Sequence, residues 1–327
     1  MACIGVVVIH ANLPFGDTFI NGLLRYSTPL YVAIAGFLVG AKPLKIDLWP
    51  FMRRKLQFLL PPFFVWSIIY LAWSTKMTMP QLDLSSLLLF IAMGGAKGHL
   101  YFVPLILQLY LIFYLSKRGK ISPLTTLIMG LVFFLPWMYF VVAQGAINVF
   151  NPLAFFPSMM VYFALGYFLA HNRDLYANPR PVFVLGAAIA ALVGIGIFFY
   201  CQAVLPQRGF SQHFYSMGYA VFSIYLFFCL CYRIKTVPGP LAKISQYSFC
   251  IYLAHWLFID ILNVTIVNQT ATIKFAILSI GALVASYLLG VVVNMLPYGK
   301  YLAGRPTKTA SALGKQKTLK QVAASGS

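Results

Sequence analysis

Runs of apolar side chains long enough to cross a bilayer recur from one end of this chain to the other. The stretches PVFVLGAAIAALVGIGIFFYC (181–201) and AILSIGALVASYLLGVVVNML (276–296) each run 21 residues without a charged side chain. A helix rises about 1.5 Å per residue, so about 20 residues cover the roughly 30 Å of hydrocarbon in a membrane. Apolar segments lie near 1–13, 27–41, 56–74, 100–116, 122–142, 152–170, 182–202, 215–232, 246–264 and 275–296. They predict an all-α, polytopic membrane protein with about ten transmembrane helices. The shorter apolar stretch 84–95 reads as an interfacial or re-entrant helix. Because such segments continue to the end of the chain, a cleaved secretory signal does not explain them. Composition agrees: 61% of residues are hydrophobic and 9% charged, against roughly 25% charged in soluble domains.

A net charge of +19 suggests nucleic acid at first sight. The distribution argues otherwise. If the first segment runs outward, 19 of the 24 lysines and arginines fall on the inner side of the membrane. The outer side keeps Arg25, Lys76, Lys97, Arg208 and Lys274. Positive charge collects on the cytoplasmic side of membrane proteins, so both termini are expected there. The basic residues are then anchors at several separate sites, and the partner they indicate is the lipid bilayer, with no nucleic acid. Residues 1–298 form a transmembrane domain. Residues 299–327, basic and rich in small side chains, form a cytoplasmic tail expected to be disordered or to lie on the surface.

Ionisable groups inside a bilayer are costly, so each one raises a functional question. The first apolar segment ends at His10, and His255 sits about halfway along the ninth, in SFCIYLAHWLFID. His99 opens the fourth in KGHLYFVP, at the outer interface. His171 and His213 fall at interfaces and read as solvated. For His10 and His255 the alternatives are a neutral imidazole bonded between helices or a working proton acceptor; His99 could equally be an interfacial anchor beside Tyr101. Imidazole takes and returns a proton near neutrality, which is what transfer to an alcohol requires. The chain has no glutamate and five aspartates, so acid chemistry has few candidates.

Some patterns carry little. His255 and Asp260 form H-x4-D, but five residues of helix leave the two side chains roughly 140° apart. Cys229 and Cys231 point to different helix faces with no second pair nearby, so no metal site is expected. The five cysteines read as small core hydrophobes. Arg53, Arg54 and Lys55 meet the cytoplasmic face where the third segment begins. They read either as positive-inside anchors or as an anion site for a phosphorylated cofactor.

Six stretches, in order, resemble the acyltransferase family 3 membrane proteins, which modify surface polysaccharides and lipids. ACIGVVVIHA resembles the family's first helix, which ends in a functional histidine, and STPLYVAIAGFLVG its second. MRRKLQFLLPPFFVWSIIY is similar to the basic start of the third helix and GHLYFVPLILQLYL to the fourth. YFALGYFLA resembles the sixth, and ISQYSFCIYLAHWLFID the late helix bearing Ile-Tyr-Leu-x-His. The likeness covers about residues 1–265. Two departures stand out. The family's arginine, eleven positions before the first-helix histidine, would fall before Met1. Phe58 occupies the second arginine position of the family's R-x-x-R, with Lys55 in the first.

The missing arginine matches the length of the first segment. Ala2 to Leu13 is 12 residues, about 18 Å of helix, and the chain as given is expected to lack its native start.

The resemblance implies O-acyl transfer from acyl-coenzyme A, acetyl-coenzyme A foremost, as a co-substrate with no permanently bound cofactor. The acceptor is a hydroxyl of a cell-surface or lipid-linked glycan, and the place a bacterial inner membrane. His10 is then the general base, Arg53, Arg54 and Lys55 hold the coenzyme phosphates, and His99, Tyr101, Tyr252 and His255 line the acceptor side. Aromatic rings of Tyr101, Tyr252 and Trp256 are expected to stack on sugar. An exporter or flippase of polysaccharide or lipid-linked sugar is the alternative, and an inactive scaffold a third.

Overall fold

The computed structural model describes residues 2–12, 19–43, 46–74, 84–144, 152–205, 215–266 and 269–304. All regular structure among them is helical. The chain opens with α1 (Ala2–Ala11), α2 (Phe19–Leu24), α3 (Ser27–Gly40), α4 (Leu48–Ser74) and α5 (Leu84–Ala92). Then come α6 (Phe102–Arg118), α7 (Pro123–Gln144), α8 (Met160–His171), α9 (Asp174–Ala177) and α10 (Pro181–Val204). The last group is α11 (Met217–Arg233), α12 (Gly239–Gln246), α13 (Ser248–Thr265), α14 (Ala271–Asn294) and α15 (Lys300–Ala303).

Among the described residues, six stretches are long and apolar enough to cross a membrane: Phe19–Gly40, Leu48–Trp73, Pro123–Val141, Pro181–Val204, Ser248–Thr265 and Ala271–Asn294. The apolar helices α1, α8 and α11 are shorter, and α6 has 17 residues ending in Lys117 and Arg118. A count of ten spans needs all four of these as well. α5, with nine residues, is too short to cross.

The outward faces show why the solvent is lipid. On α14, Leu278, Ala282 and Ser286 are fully buried at intervals of one turn, yet Ile280, Val284, Leu288 and Val292 are about half exposed or more. On α10, Val182, Leu185 and Leu192 are exposed by more than 60%. Helices apolar all round belong to a membrane setting.

Without a hydrophobic drive between helices in lipid, close packing falls to small residues. The tightest pair is α3 with α8. Gly166 of α8 faces the backbone of Ala33 and Phe37, and Gly36 of α3 faces the backbone of Phe163. Gly40 completes a G-x-x-x-G face, and a Cβ there would lie 2.7 Å from Ala170 Cβ.

Three local features differ from the continuous spans read in the sequence. The stretch 152–170 is broken, with two 3₁₀ turns at Pro152–Ala154 and Phe156–Ser158 before α8 begins. Pro152 and Pro157 lack the N–H that a helix needs. Gln108 of α6 serves this broken backbone, donating to Ala154 O at 2.7 Å and accepting from Phe156 N at 3.3 Å. α4 starts at Leu48, so Arg53, Arg54 and Lys55 are helical. At the far end, Trp66 Nε1 donates to Leu302 O at 2.8 Å, and Ala303 is buried. Residues 299–304, assigned above to the tail, are therefore packed on α4; residues 305–327 lie outside the described residues.

Two packing relations position the site. α1 lies against α3, α13 and α14, with Cys3, Val7 and Ala11 in one apolar cluster with Ile251, Ile259 and Leu278. α4 packs on α6 and α13, and runs antiparallel to α6, since Phe51 meets Tyr110 and Tyr114 while Tyr70 meets His99.

Candidate active site

Three histidines far apart in sequence converge where the last turn of α1, the turn before α6 and the middle of α13 meet. The ring centroids of His10 and His255 are 5.2 Å apart, those of His99 and His255 5.0 Å, and those of His10 and His99 6.1 Å. His255 and His99 are buried, at 0% and 3% exposure, while His10 is half-buried. The accessible surface of the trio is thus mainly that of His10.

The turn that delivers His99 depends on Gly94, whose φ of +74° favours glycine. A side chain there would also strike the backbone of Leu100, 2.5 Å away. His99 is then fixed at both ends: Tyr252 donates its hydroxyl to the His99 carbonyl, and His99 Nε2 lies 3.3 Å from Leu253 O. Tyr70 of α4 donates to the same Leu253 carbonyl at 2.8 Å and accepts from Leu257 N at 3.1 Å. His255 Nδ1 lies 3.0 Å from Ile251 O.

A carbonyl only accepts, so these contacts assign a proton to His99 Nε2 and to His255 Nδ1. The opposite nitrogens, His99 Nδ1 and His255 Nε2, carry lone pairs. Both are buried with no hydrogen-bond partner among the described residues, and so is His10 Nδ1. Buried polar atoms are normally satisfied. A cluster of unpartnered ring nitrogens suits a donor brought in by a ligand, such as a hydroxyl.

Trp256 lies 4.1 Å from the His10 centroid and 5.3 Å from that of His99. Asp260, one turn further along α13, accepts from Lys97 Nζ at 2.5 Å. It thus has its own cation and makes no pair with His255. Tyr101 and Tyr252 are each only 7% exposed. Tyr252 lines the smaller of the two cavities described below, and Tyr101 lines neither of them. The Tyr252 ring packs edge-on against His99 at 5.3 Å, and Trp256 is half-buried.

The second half of the site lies toward the other ends of α4 and α6. A cavity of about 520 Å³ is lined by Lys42, Arg54, Lys55 and Lys117 together with Tyr110, Tyr114 and Phe51. Among the described residues, no carboxylate lines it. Lys55 Nζ stands 4.0 Å from the Tyr110 ring, a cation–π contact. Lys117 Nζ donates to the carbonyls of Val39, Gly40 and Lys42 at 2.9, 3.1 and 2.6 Å, closing the C-terminal end of α3. Arg53 is exposed and does not line the cavity, whereas Lys42 and Lys117, counted in the sequence only as anchors, do.

Next to the cationic cavity is a smaller one of about 220 Å³, mostly apolar. It shares Ala35, Leu38 and Tyr110 with the cationic cavity and reaches Phe102 and Tyr252. Tyr110 to Phe102 is eight residues of α6, about 12 Å of rise. His171 stands apart, with Nδ1 2.9 Å from Tyr167 O. His213 lies outside the described residues. Among those residues, no three of His, Cys, Asp or Glu are grouped to hold a metal.

The fold is that of a helical, multi-pass membrane protein, with a cluster of histidines at one level and a cationic cavity at another. Residues 1–291 match the family model described as an acyltransferase domain, and the chain belongs to acyltransferase family 3. It is similar to a Bacillus subtilis (strain 168) protein named "Putative membrane-bound acyltransferase YfiQ", at 25% identity over 343 aligned residues. That match covers 93% of this chain and 92% of the relative. No solved structure matches the chain. The protein is a membrane acyltransferase.

Proposed function

We infer that this enzyme moves an acyl group, acetyl foremost, from acyl-coenzyme A to a hydroxyl of a cell-surface or lipid-linked glycan at the inner membrane. The observation that carries the reading is that the two cavities share a wall, formed by Ala35, Leu38 and Tyr110. The cationic one suits the coenzyme's phosphates. The apolar one leads from Tyr110 toward His99 and suits the uncharged pantetheine arm with its thioester.

At the histidine level the chemistry is a general-base acyl transfer. The acceptor hydroxyl gives its proton to His10 as its oxygen attacks the thioester carbonyl. The tetrahedral carbon then expels the coenzyme sulfur, breaking the C–S bond, and the thiolate recovers the proton from His10. Ester and free thiol are the products. His99 and His255, each fixed by a backbone carbonyl and each with an unpartnered ring nitrogen, orient the hydroxyl and the His10 ring.

Membranes bearing the protein should release free thiol from acetyl-coenzyme A in proportion to added acceptor glycan. Removing a general base lowers the rate by about 10²–10⁴, so His10→Ala should fall by that factor. Transfer by His10→Ala at the parent rate overturns the assignment. The exporter alternative is separated by surface glycan in a deletion strain: glycan present but lacking acyl groups supports transfer, and absent glycan supports export.

A further inference from the structure

We propose that Lys97 and Asp260 are positioning residues that hold Trp256 across His10, so that one ion pair sets how water and acceptor reach the reacting base. This rests on the reading of His10 given above. Three observations converge on it.

First, the pair ties two separate elements together. Lys97 belongs to the turn between α5 and α6 and Asp260 to α13, and their charged atoms are 2.5 Å apart with each side chain about a quarter exposed. A pair at that depth is shielded from water more than a surface pair is.

Second, the same ammonium stands 5.0 Å from the Trp256 ring and 5.9 Å from that of Tyr70. Trp256 and Asp260 are four residues apart on one helix face, so Lys97 engages both together. The neighbouring Gly98 lets the turn run close to the indole, since a Cβ there would already stand 3.3 Å from it.

Third, the indole lies over His10 at 4.1 Å, and His10 is the half-buried member of a trio whose other members are closed off. Trp256 therefore has the ion pair on one contact and the reacting base on another. Any molecule larger than water that reaches His10 past the indole must move Trp256, and the resistance to that movement comes from Lys97. A site that carries a thioester needs such a cover, because water attacking the same carbonyl gives free acid and thiol with no ester formed.

The test reads access to His10 directly. Full-length protein in detergent is treated with diethylpyrocarbonate, and the rate of carbethoxylation at each histidine is followed by peptide mass spectrometry. In Lys97→Met and in Asp260→Asn, His10 should react about threefold faster or more, while the exposed His171 keeps its parent rate as an internal control. The exchanged pair K97D/D260K should bring His10 back toward the parent value. An unchanged His10 rate in both single variants overturns the proposal. So does an acceleration that the exchanged pair fails to reverse, because that marks loosened packing. Acceptor-free hydrolysis of acetyl-coenzyme A is measured in parallel. Faster labelling with faster hydrolysis supports both the cover and the acyl-transfer reading. Faster labelling with no thioester turnover in parent or variants supports the cover and counts against that reading.

Discussion

Replacing Lys55 by methionine removes an ammonium while keeping the aliphatic stem that packs beside Phe51 and Tyr110. Lys55 is half-buried in the cationic cavity, and no carboxylate of the lining competes for it. A hydrogen bond to a charged group in such a place contributes about 1.5–3 kcal/mol. Lost from coenzyme binding, that corresponds to a rise of about 10- to 150-fold in KM for acetyl-coenzyme A. The phosphates lie remote from the thioester, so the contact is the same in the ground and transition states and kcat should hold. Arg53 is the internal comparison. It sits two residues away on α4 but is exposed and outside the cavity, and a solvated ion pair there is worth less than about a fivefold change. The assay is thiol release at varied acetyl-coenzyme A with acceptor fixed. Equal KM shifts for Lys55→Met and Arg53→Met would refute the assignment of the cavity, since only a diffuse surface field treats the two alike. A fall in kcat with KM unchanged would refute the division of labour between the two ends of the site.

Gly166→Leu should destabilise the fold by about 1–3 kcal/mol or more, because even its Cβ would stand 2.6 Å from the Ala33 carbonyl carbon. Thermal unfolding in detergent reads this, with Gly186→Ala, where nothing lies within 4 Å, as the neutral comparison. Lys117→Met leaves the carbonyls of Val39, Gly40 and Lys42 without their donor. It should cost about 1–3 kcal/mol and lower the midpoint in the same melt. His255→Ala removes an orienting ring that is 0% exposed. It should lower kcat less than the factor of about 10² or more expected for His10→Ala, as steady-state rates of the two variants will show.

The helices of this protein are legible because lipid removes the usual ambiguity between strand and helix. A stretch such as 181–201 has no charge to interrupt it, and α10 follows it from Pro181 to Val204. Legibility fails where the backbone is served by a side chain from elsewhere. The proline-bearing segment 152–158 reads as the start of a span by hydropathy, yet it is two 3₁₀ turns because Gln108, more than forty residues earlier, supplies the bonds that a helix would have made internally. The amphipathic helix α12 (Gly239–Gln246) escapes for a different reason. It is eight residues long, too short to stand out from the apolar run that follows it.

The site divides along a similar line. Histidines 10, 99 and 255 share no local motif, but an imidazole in an apolar run is expensive; that cost marks His10 and His255 before any contact is known, whereas His99 reads from the sequence equally as an interfacial anchor. Lysines give no such mark. Lys42, Lys97 and Lys117 all lie near the ends of apolar segments; the positive-inside count takes Lys42 and Lys117 as anchors and leaves Lys97 as one of five cations on the outer side. What separates them is the identity of their neighbours. Lys117 is enclosed by three carbonyls, Lys97 by a carboxylate and two aromatic rings, and Lys42 by a cavity with three other cations. The absence of glutamate makes this division sharper. With only five carboxylates in 327 residues, most of the cations have no acidic partner to take. The four cations around one cavity have no carboxylate among its described lining residues, while Asp260 is paired with Lys97. The cavity with four cations thus suits a polyanionic ligand, while the Lys97–Asp260 pair itself carries no net charge. That asymmetry suits a charged coenzyme entering by one route and an uncharged hydroxyl acceptor by the other.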